Sequence, residues 1–287
     1  MYQVEHLKIT DQGFITYFSF ENFYRFRDIS VRELDNLKSS SCKGVMSKKQ
    51  KKSISQIINT WVCSVIHMMR HNKIAKSKIG YHLTFCTLTL SANQIHCDKL
   101  IKREILNTFL IYLKRKSNLQ NYIWISEKQK NGNIHFHLIL DRYVHYSHIR
   151  EIWNFAQEKL GYISEFERVN GHRNPNSTDI KALKNINNPS AYLIKYISKG
   201  SDGLFQCGRM WNCSKKLNEI EPFTCLVDAE TDDMLRKFQK EHPSKVYTKE
   251  YFSISKIESG GIEKVLHERL REQVKAHYVS NYQYLNE

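Results

Sequence analysis

The chain has 287 residues, enough for one large domain or a modest domain with extensions. Its 41% hydrophobic and 12% aromatic content, with only 4 prolines, excludes a disordered or fibrous protein. Forty-four Lys plus Arg against 29 Asp plus Glu leave a net charge of +15, which calls for a polyanionic partner; nucleic acid is the commonest, a membrane surface the blander alternative. The seven cysteines (Cys42, Cys63, Cys86, Cys97, Cys207, Cys213, Cys225) form no CxxC pair and are odd in number, so reduced thiols in a cytoplasmic protein are expected. A zinc site from Cys207, Cys213 and Cys225 is the weaker alternative. The N-terminus lacks a basic segment followed by an apolar one, and no apolar run reaches membrane-spanning length. No GxxxxGK[ST] loop occurs, which argues against a built-in NTP-driven helicase.

Residues 1–75 read as an N-terminal extension. "FITYFSFENFYRF" suggests a strand or two, and a long amphipathic helix starts at Ser47, with Ile54, Ile57, Ile58, Trp61, Val65 and Met68 on its apolar stripe. From Tyr81 the pattern becomes regular. "YHLTFCTLTL" is β-branched and aromatic, as interior strands are. A helix over 98–116 follows, then the strand "NYIWISE", the turn "KQKNGN" and the returning strand "IHFHLIL". Ser147 is placed to cap a helix through Leu160, and "GYISEFERV" and "STDIKAL" read as extended segments. The order β-α-β-β-α-β predicts an α+β fold of ferredoxin-like, split β-α-β type, with an antiparallel sheet. In "NNPSAYLIKYISKG", Asn188 suits an N-cap, Pro189 the first helical position and Gly200 the stop. Residues 76–204 thus form the expected central domain. Residues 205–287 form a C-terminal extension with a helix after Thr231 and another over 262–278; both extensions read as mainly helical.

In "NGNIHFHLIL", His135 and His137 are two residues apart on a strand and therefore leave by the same face. Two imidazoles are good ligands for a divalent ion but need a third donor from a neighbouring element. Glu127, at the end of the preceding strand, is the candidate. A two-residue Asn131-Gly132 turn would set Glu127 opposite Phe136, on the wrong face, whereas an odd loop with a glycine bulge would set it opposite His137. By itself His-x-His is equally consistent with two hydrogen-bonded core histidines. On the later helix Tyr192 and Tyr196 share a face, and each begins a YxxK pattern with Lys195 and Lys199. Taken alone, these are half-buried aromatics above a solvated lysine edge. Combined with the histidine strand and the charge, they suggest phosphodiester cleavage by a phenol whose attack an ammonium and a metal assist.

"IHFHLIL" followed by "AYLIKYISK" resembles the HUH endonucleases, specifically rolling-circle replication initiators of small single-stranded DNA phages and related plasmids. "FCTLTL" is similar to their first motif, "WISEKQKNGNIHFH" to their metal hairpin, and the histidine motif precedes the tyrosine motif as in initiators and related transposases. The resemblance covers residues 81–200, with "GRMWNCSK" a less specific trailing segment. It implies metal ligation by His135, His137 and Glu127, with Mg²⁺ or Mn²⁺ as the ion. It also implies nicking of single-stranded origin DNA by Tyr192 or Tyr196, with Lys195 and Lys199 assisting, through a 5′-phosphotyrosine and a 3′-hydroxyl primer. Host helicase and DNA polymerase are the implied partners, in the cytoplasm of a bacterial host. Three readings compete: a transposase of the same superfamily, an iron oxygenase using the same ligand set, and a non-catalytic ferredoxin-like nucleic-acid binder with Tyr122 and Trp124 stacking on bases.

Overall fold

A computed structural model of the chain describes residues 2–10, 13–21, 46–182, 194, 206–257 and 261–287. It is α+β, with two five-stranded antiparallel sheets among the described residues. Contacts group the chain into two units. One gathers residues 1–41, 56–72 and 220–284, and the other residues 42–55, 73–219 and 285–287.

The second unit holds the expected ferredoxin-like arrangement. Strand β3 (Thr84–Thr89) leads into helix α2, residues 98–117, which is α-helical at both ends with a π-turn over Lys102–Leu106. Strands β4 (Tyr122–Lys128) and β5 (Ile134–Leu140) form the hairpin, followed by α3 (Tyr146–Glu158), α4 (Tyr162–Asn170), β6 (Thr178–Ala182) and β7 (Trp211–Cys213). The sheet order is β6-β3-β5-β4-β7. Each crossover, β3-α2-β4 and β5-α3-β6, therefore straddles one inserted strand, which is the split β-α-β connection. Phe136 and Leu138 of β5, Leu88 of β3 and Trp124 of β4 are buried in one cluster with Ile105, Phe109 and Trp153 from the helices. Alternation then sends His135 and His137 out of the opposite face.

Three local assignments differ from those read in the sequence. "GYISEFERV" is helix α4, not an extended segment. Its rings and β-branched residues suggested a strand, yet Gly161 and Gly171 bracket it in left-handed conformation, as helix boundaries require. The cap of α3 is His145, whose Nδ1 accepts from the Ser147 backbone N–H at 3.4 Å; Ser147 lies inside the helix. The C-terminal helix breaks at Leu266, giving α6 (Ile262–Val265) and α7 (Glu268–Asn286). The helix from Ser47 forms as read: α1 (Lys48–His71) opens on a reciprocal capping box between Ser47 and Gln50. Tyr192, Lys195, Tyr196 and Lys199 lie outside the described residues, and of their segment only Ile194 is described.

The first unit carries strands as well as helices. β1 (Tyr2–Thr10) and β2 (Gly13–Glu21) pair with β8 (Phe223–Leu226), β9 (Val246–Lys249) and β10 (Phe252–Lys256) in the order β8-β1-β2-β10-β9. Leu7, Ile9 and Phe14 pack with Cys63 of α1, with Leu235 and Phe238 of α5 (Ala229–Glu241), and with Leu270, Val274 and Tyr278 of α7. Tyr278 fixes the joint by donating its hydroxyl to the Ile9 carbonyl at 2.5 Å. Gly13, at φ +136°, presses against β10 so closely that a Cβ would sit 1.9 Å from the Ser255 carbonyl oxygen. Gly13→Ala is expected to cost more than about 2 kcal/mol, because the strand pairing itself must move. Urea unfolding of the two proteins measures this.

His67 gives this unit a pH response. Its ring is buried and stacks on Tyr278, with centroids 5.1 Å apart. Burial first, then the positive charge of Arg70, His277 and Lys275, brings its pKa down to about 4. Glu263, 3.9 Å from Nδ1, is already held by Arg70 at 2.6 Å. Between the ordinary pKa of 6.5 and about 4, the unfolded chain carries a proton that the folded one refuses. Stability is therefore complete above pH 6.5 and declines as the pH falls to about 4, by up to about 3 kcal/mol in all. His67→Phe, which keeps the stack, should flatten that decline in denaturation curves taken across the window.

Candidate metal centre

The β4–β5 hairpin closes through an odd loop. The Gln129 N–H donates to the Asn133 carbonyl at 2.9 Å and the Gly132 N–H to the Gln129 carbonyl at 2.8 Å, leaving Lys130, Asn131 and Gly132 in the bend. Gly132 adopts φ +84°, the conformation such a bend demands. The resulting register sets Glu127 opposite His135, and Lys128 opposite Ile134. The loop is thus odd, as metal binding requires, but begins one residue earlier than the sequence reading placed it. Glu127 consequently faces His135 across the ladder rather than His137. Its carboxylate still emerges on the histidine face, because partners across an antiparallel pair share a face.

The three side chains converge. Glu127 Oε1 lies 2.8 Å from His137 Nε2 and 3.9 Å from His135 Nε2, and one donor atom from each residue falls within 4.8 Å of the others. The two rings stand 4.5 Å apart at 72°. Among the described residues this is the one group of His, Cys, Asp and Glu donors so arranged. Both imidazoles are largely enclosed. Burial, and then the neighbouring His137, pushes His135 down to about 4, against the opposing pull of Glu127. His135 is therefore neutral near pH 7, the form that ligates metals. Its Nδ1 is buried without a hydrogen-bond partner, so the ring is held by packing and by what its Nε2 meets. Two neutral imidazoles and a carboxylate fit a divalent ion, leaving further positions for oxygen ligands.

Support for these ligands comes from residues the sequence reading did not single out. Thr87 of β3 pairs with His137 across the ladder, and its hydroxyl shares a hydrogen bond with His137 Nδ1 at 3.2 Å. That bond fixes the ring and leaves Nε2 as the donor toward Glu127. The Phe85 ring stacks on His137 at 5.5 Å. Thr87→Val should weaken divalent metal binding by roughly 10–100-fold with the fold intact, a result calorimetric titration with Mn²⁺ reads directly.

A second network holds the hairpin. Lys128 Nζ donates to Asp98 Oδ1 at 2.7 Å, to Gln94 Oε1 at 3.2 Å and to the Gly132 carbonyl at 2.8 Å. Burial alone would raise the Asp98 pKa, but hydrogen bonds from Lys128 and Gln94 outweigh it and hold the carboxyl below its ordinary range. Asp98 Oδ2 also accepts from the Cys207 N–H at 3.0 Å. Next to Glu127, the Ser126 hydroxyl donates to buried Gln206 Oε1 at 2.8 Å, and Gln206 Nε2 donates back to the Ser126 carbonyl at 3.0 Å. The chain resuming at Gln206 is thereby fastened to the strand that carries the carboxylate. Trp124, offered by one competing reading as a base-stacking ring, is 6% exposed and belongs to the core.

Comparison with known proteins agrees with the site. Residues 83–201, from β3 through the Tyr192 and Tyr196 segment, match the model of the replication-associated protein ORF2 family. No curated protein and no solved structure matches the chain. No helix among the described residues is long and apolar enough to cross a membrane. Over residues 83–201 the chain is therefore a member of the replication-associated protein ORF2 family, consistent with a rolling-circle replication initiator.

Proposed function

We propose that the chain is a rolling-circle replication initiator that nicks and joins single-stranded origin DNA, with residues 76–204 as its nuclease domain. The observation that carries this reading is the convergence of Glu127, His135 and His137 on the sheet face opposite the helices, inside the segment that matches a replication-associated family. These three residues would hold Mg²⁺ or Mn²⁺. A bound divalent ion supplies charge withdrawal from a non-bridging phosphate oxygen and alignment of the ester.

The remaining work falls to the chain's own groups. The hydroxyl oxygen of Tyr192 or Tyr196 attacks phosphorus, an O–P bond forms and the P–O3′ bond breaks. The phenolic proton is lost and the departing O3′ gains one, leaving a 5′-phosphotyrosine and a free 3′-hydroxyl. Lys195 and Lys199 stabilise the phenolate and the leaving alkoxide by charge. In the reverse sense, a 3′-hydroxyl attacks the phosphotyrosine and frees the tyrosine, so joining needs no nucleotide cofactor. Two tyrosines a helical turn apart allow one to hold a strand while the other cuts. Strand opening and synthesis are left to the host helicase and DNA polymerase in the cytoplasm.

Intact-mass measurement after incubation with a single-stranded, phage-type origin oligonucleotide and Mn²⁺ tests the proposal. The expected mass gain equals the fragment downstream of the nick, and chelation of the metal prevents it. Cleavage that leaves no protein adduct would overturn the covalent mechanism.

A further inference from the structure

The first unit presents an open sheet face. Leu7, Ile9, Phe14, Thr16, Ser253 and Ser255 are buried on the side where Cys63 and helices α5 and α7 pack, so the alternate residues of β1, β2 and β10 point away from that core. Strand register arranges them in rows. Across β8, β1, β2, β10 and β9, one row reads Leu226, His6, Tyr17, Phe252, Lys249. The next reads Thr224, Lys8, Ile15, Ile254, Tyr247.

The rings in these rows touch one another. His6 and Tyr17 stack at 5.2 Å and 14°, and Tyr247 meets Phe252 at 6.3 Å. Phe252 is 37% and Tyr247 52% exposed, an unusual outlay of aromatic surface on a sheet. Lys249 Nζ sits 5.4 Å from the Tyr247 ring centre, and Lys8 donates to Gln56 at 3.0 Å. Neither row holds a carboxylate.

We propose that this face is a second binding site, for single-stranded DNA, on which bases stack against Tyr17, Tyr247 and Phe252 while Lys249 and Lys8 meet the backbone phosphates. Every base has a π-face, so such a platform grips a strand without reading its sequence. The charge pattern selects the occupant. A hydrophobic protein partner has no use for lysines set among the rings, whereas a polyanion with stacking faces uses both. The site lies outside residues 83–201 and works without metal, so it stands independently of the nicking chemistry.

The test uses the full chain in EDTA with a fluorescent oligothymidylate, read by anisotropy. Tyr247→Ala with Phe252→Ala is expected to weaken binding tenfold or more, at about the strength of base–aromatic stacking. Lys249→Gln should lower the salt dependence of binding by the equivalent of about one phosphate contact. On the unaltered chain, photocrosslinking with 5-iodouracil oligonucleotides should label Tyr17, Tyr247 or Phe252, which carries the test even if the double variant folds poorly. Unchanged affinity in a folded double variant, or crosslinks confined to residues outside β1, β2, β9 and β10, would overturn the proposal. The double variant should still cut a short origin oligonucleotide in Mn²⁺, and absent cleavage in the unaltered chain would count against the nuclease reading alone.

Discussion

Replacing His135 and His137 together by Ala is expected to remove divalent metal binding and to lower strand cleavage by at least roughly a thousandfold, as loss of several kcal/mol of transition-state stabilisation implies. Both imidazoles meet the same carboxylate oxygen, so no neighbouring group is placed to substitute for the pair. Mn²⁺ titration measures the first effect and gel-resolved cleavage the second. DNA binding in EDTA should survive in the same protein, because the net charge of +15 is untouched. Cleavage persisting at the normal rate would show that the histidines are structural. The Ala changes also leave space beside Phe85 and Thr87, so a melting curve belongs with the measurement.

The second large effect concerns the tyrosines. Tyr192→Phe with Tyr196→Phe removes two oxygens and almost no volume, and is expected to abolish the covalent adduct while metal binding stays unchanged. A phenyl ring has no nucleophile, so the loss should be complete to the limit of detection. The single variants separate their roles: if both tyrosines act in turn, each alone should still yield adduct, but release of a closed circle should fail in both. A double variant that still forms an adduct would move the nucleophile elsewhere.

Much of this site can be read from the chain, for a physical reason. Period-two alternation assigns His135 and His137 to one face, and odd hairpin closure assigns Glu127 to it as well. What cannot be read is which residues form the bend. That choice is made by partners 30 to 40 positions away: Gln94 and Asp98, which hold Lys128, and Gln94 with Ala92, which hold Asn133. Thr87 escaped notice because a threonine in a strand is ordinary until its ladder partner is known. Helix α4 was masked by strand-like composition. The first sheet was legible only in β2, since the half-polar β1 and the short β8, β9 and β10 become strands by pairing with one another. The local pattern that reveals the nuclease core has no counterpart in the sheet flanking it.

The way that flanking sheet is stitched has a consequence for biosynthesis. His6 pairs with Leu226 and Ile15 with Ile254, so a strand made at the start of translation waits for partners near its end. Contacts of such long sequence separation form late and slowly. The nuclease segment, whose strands neighbour one another in sequence, is free to fold on the ribosome first. Trimming either tail would cripple the same module, and a nascent chain halted near residue 219 should display an unpaired β1–β2 edge, open to proteases and to other chains.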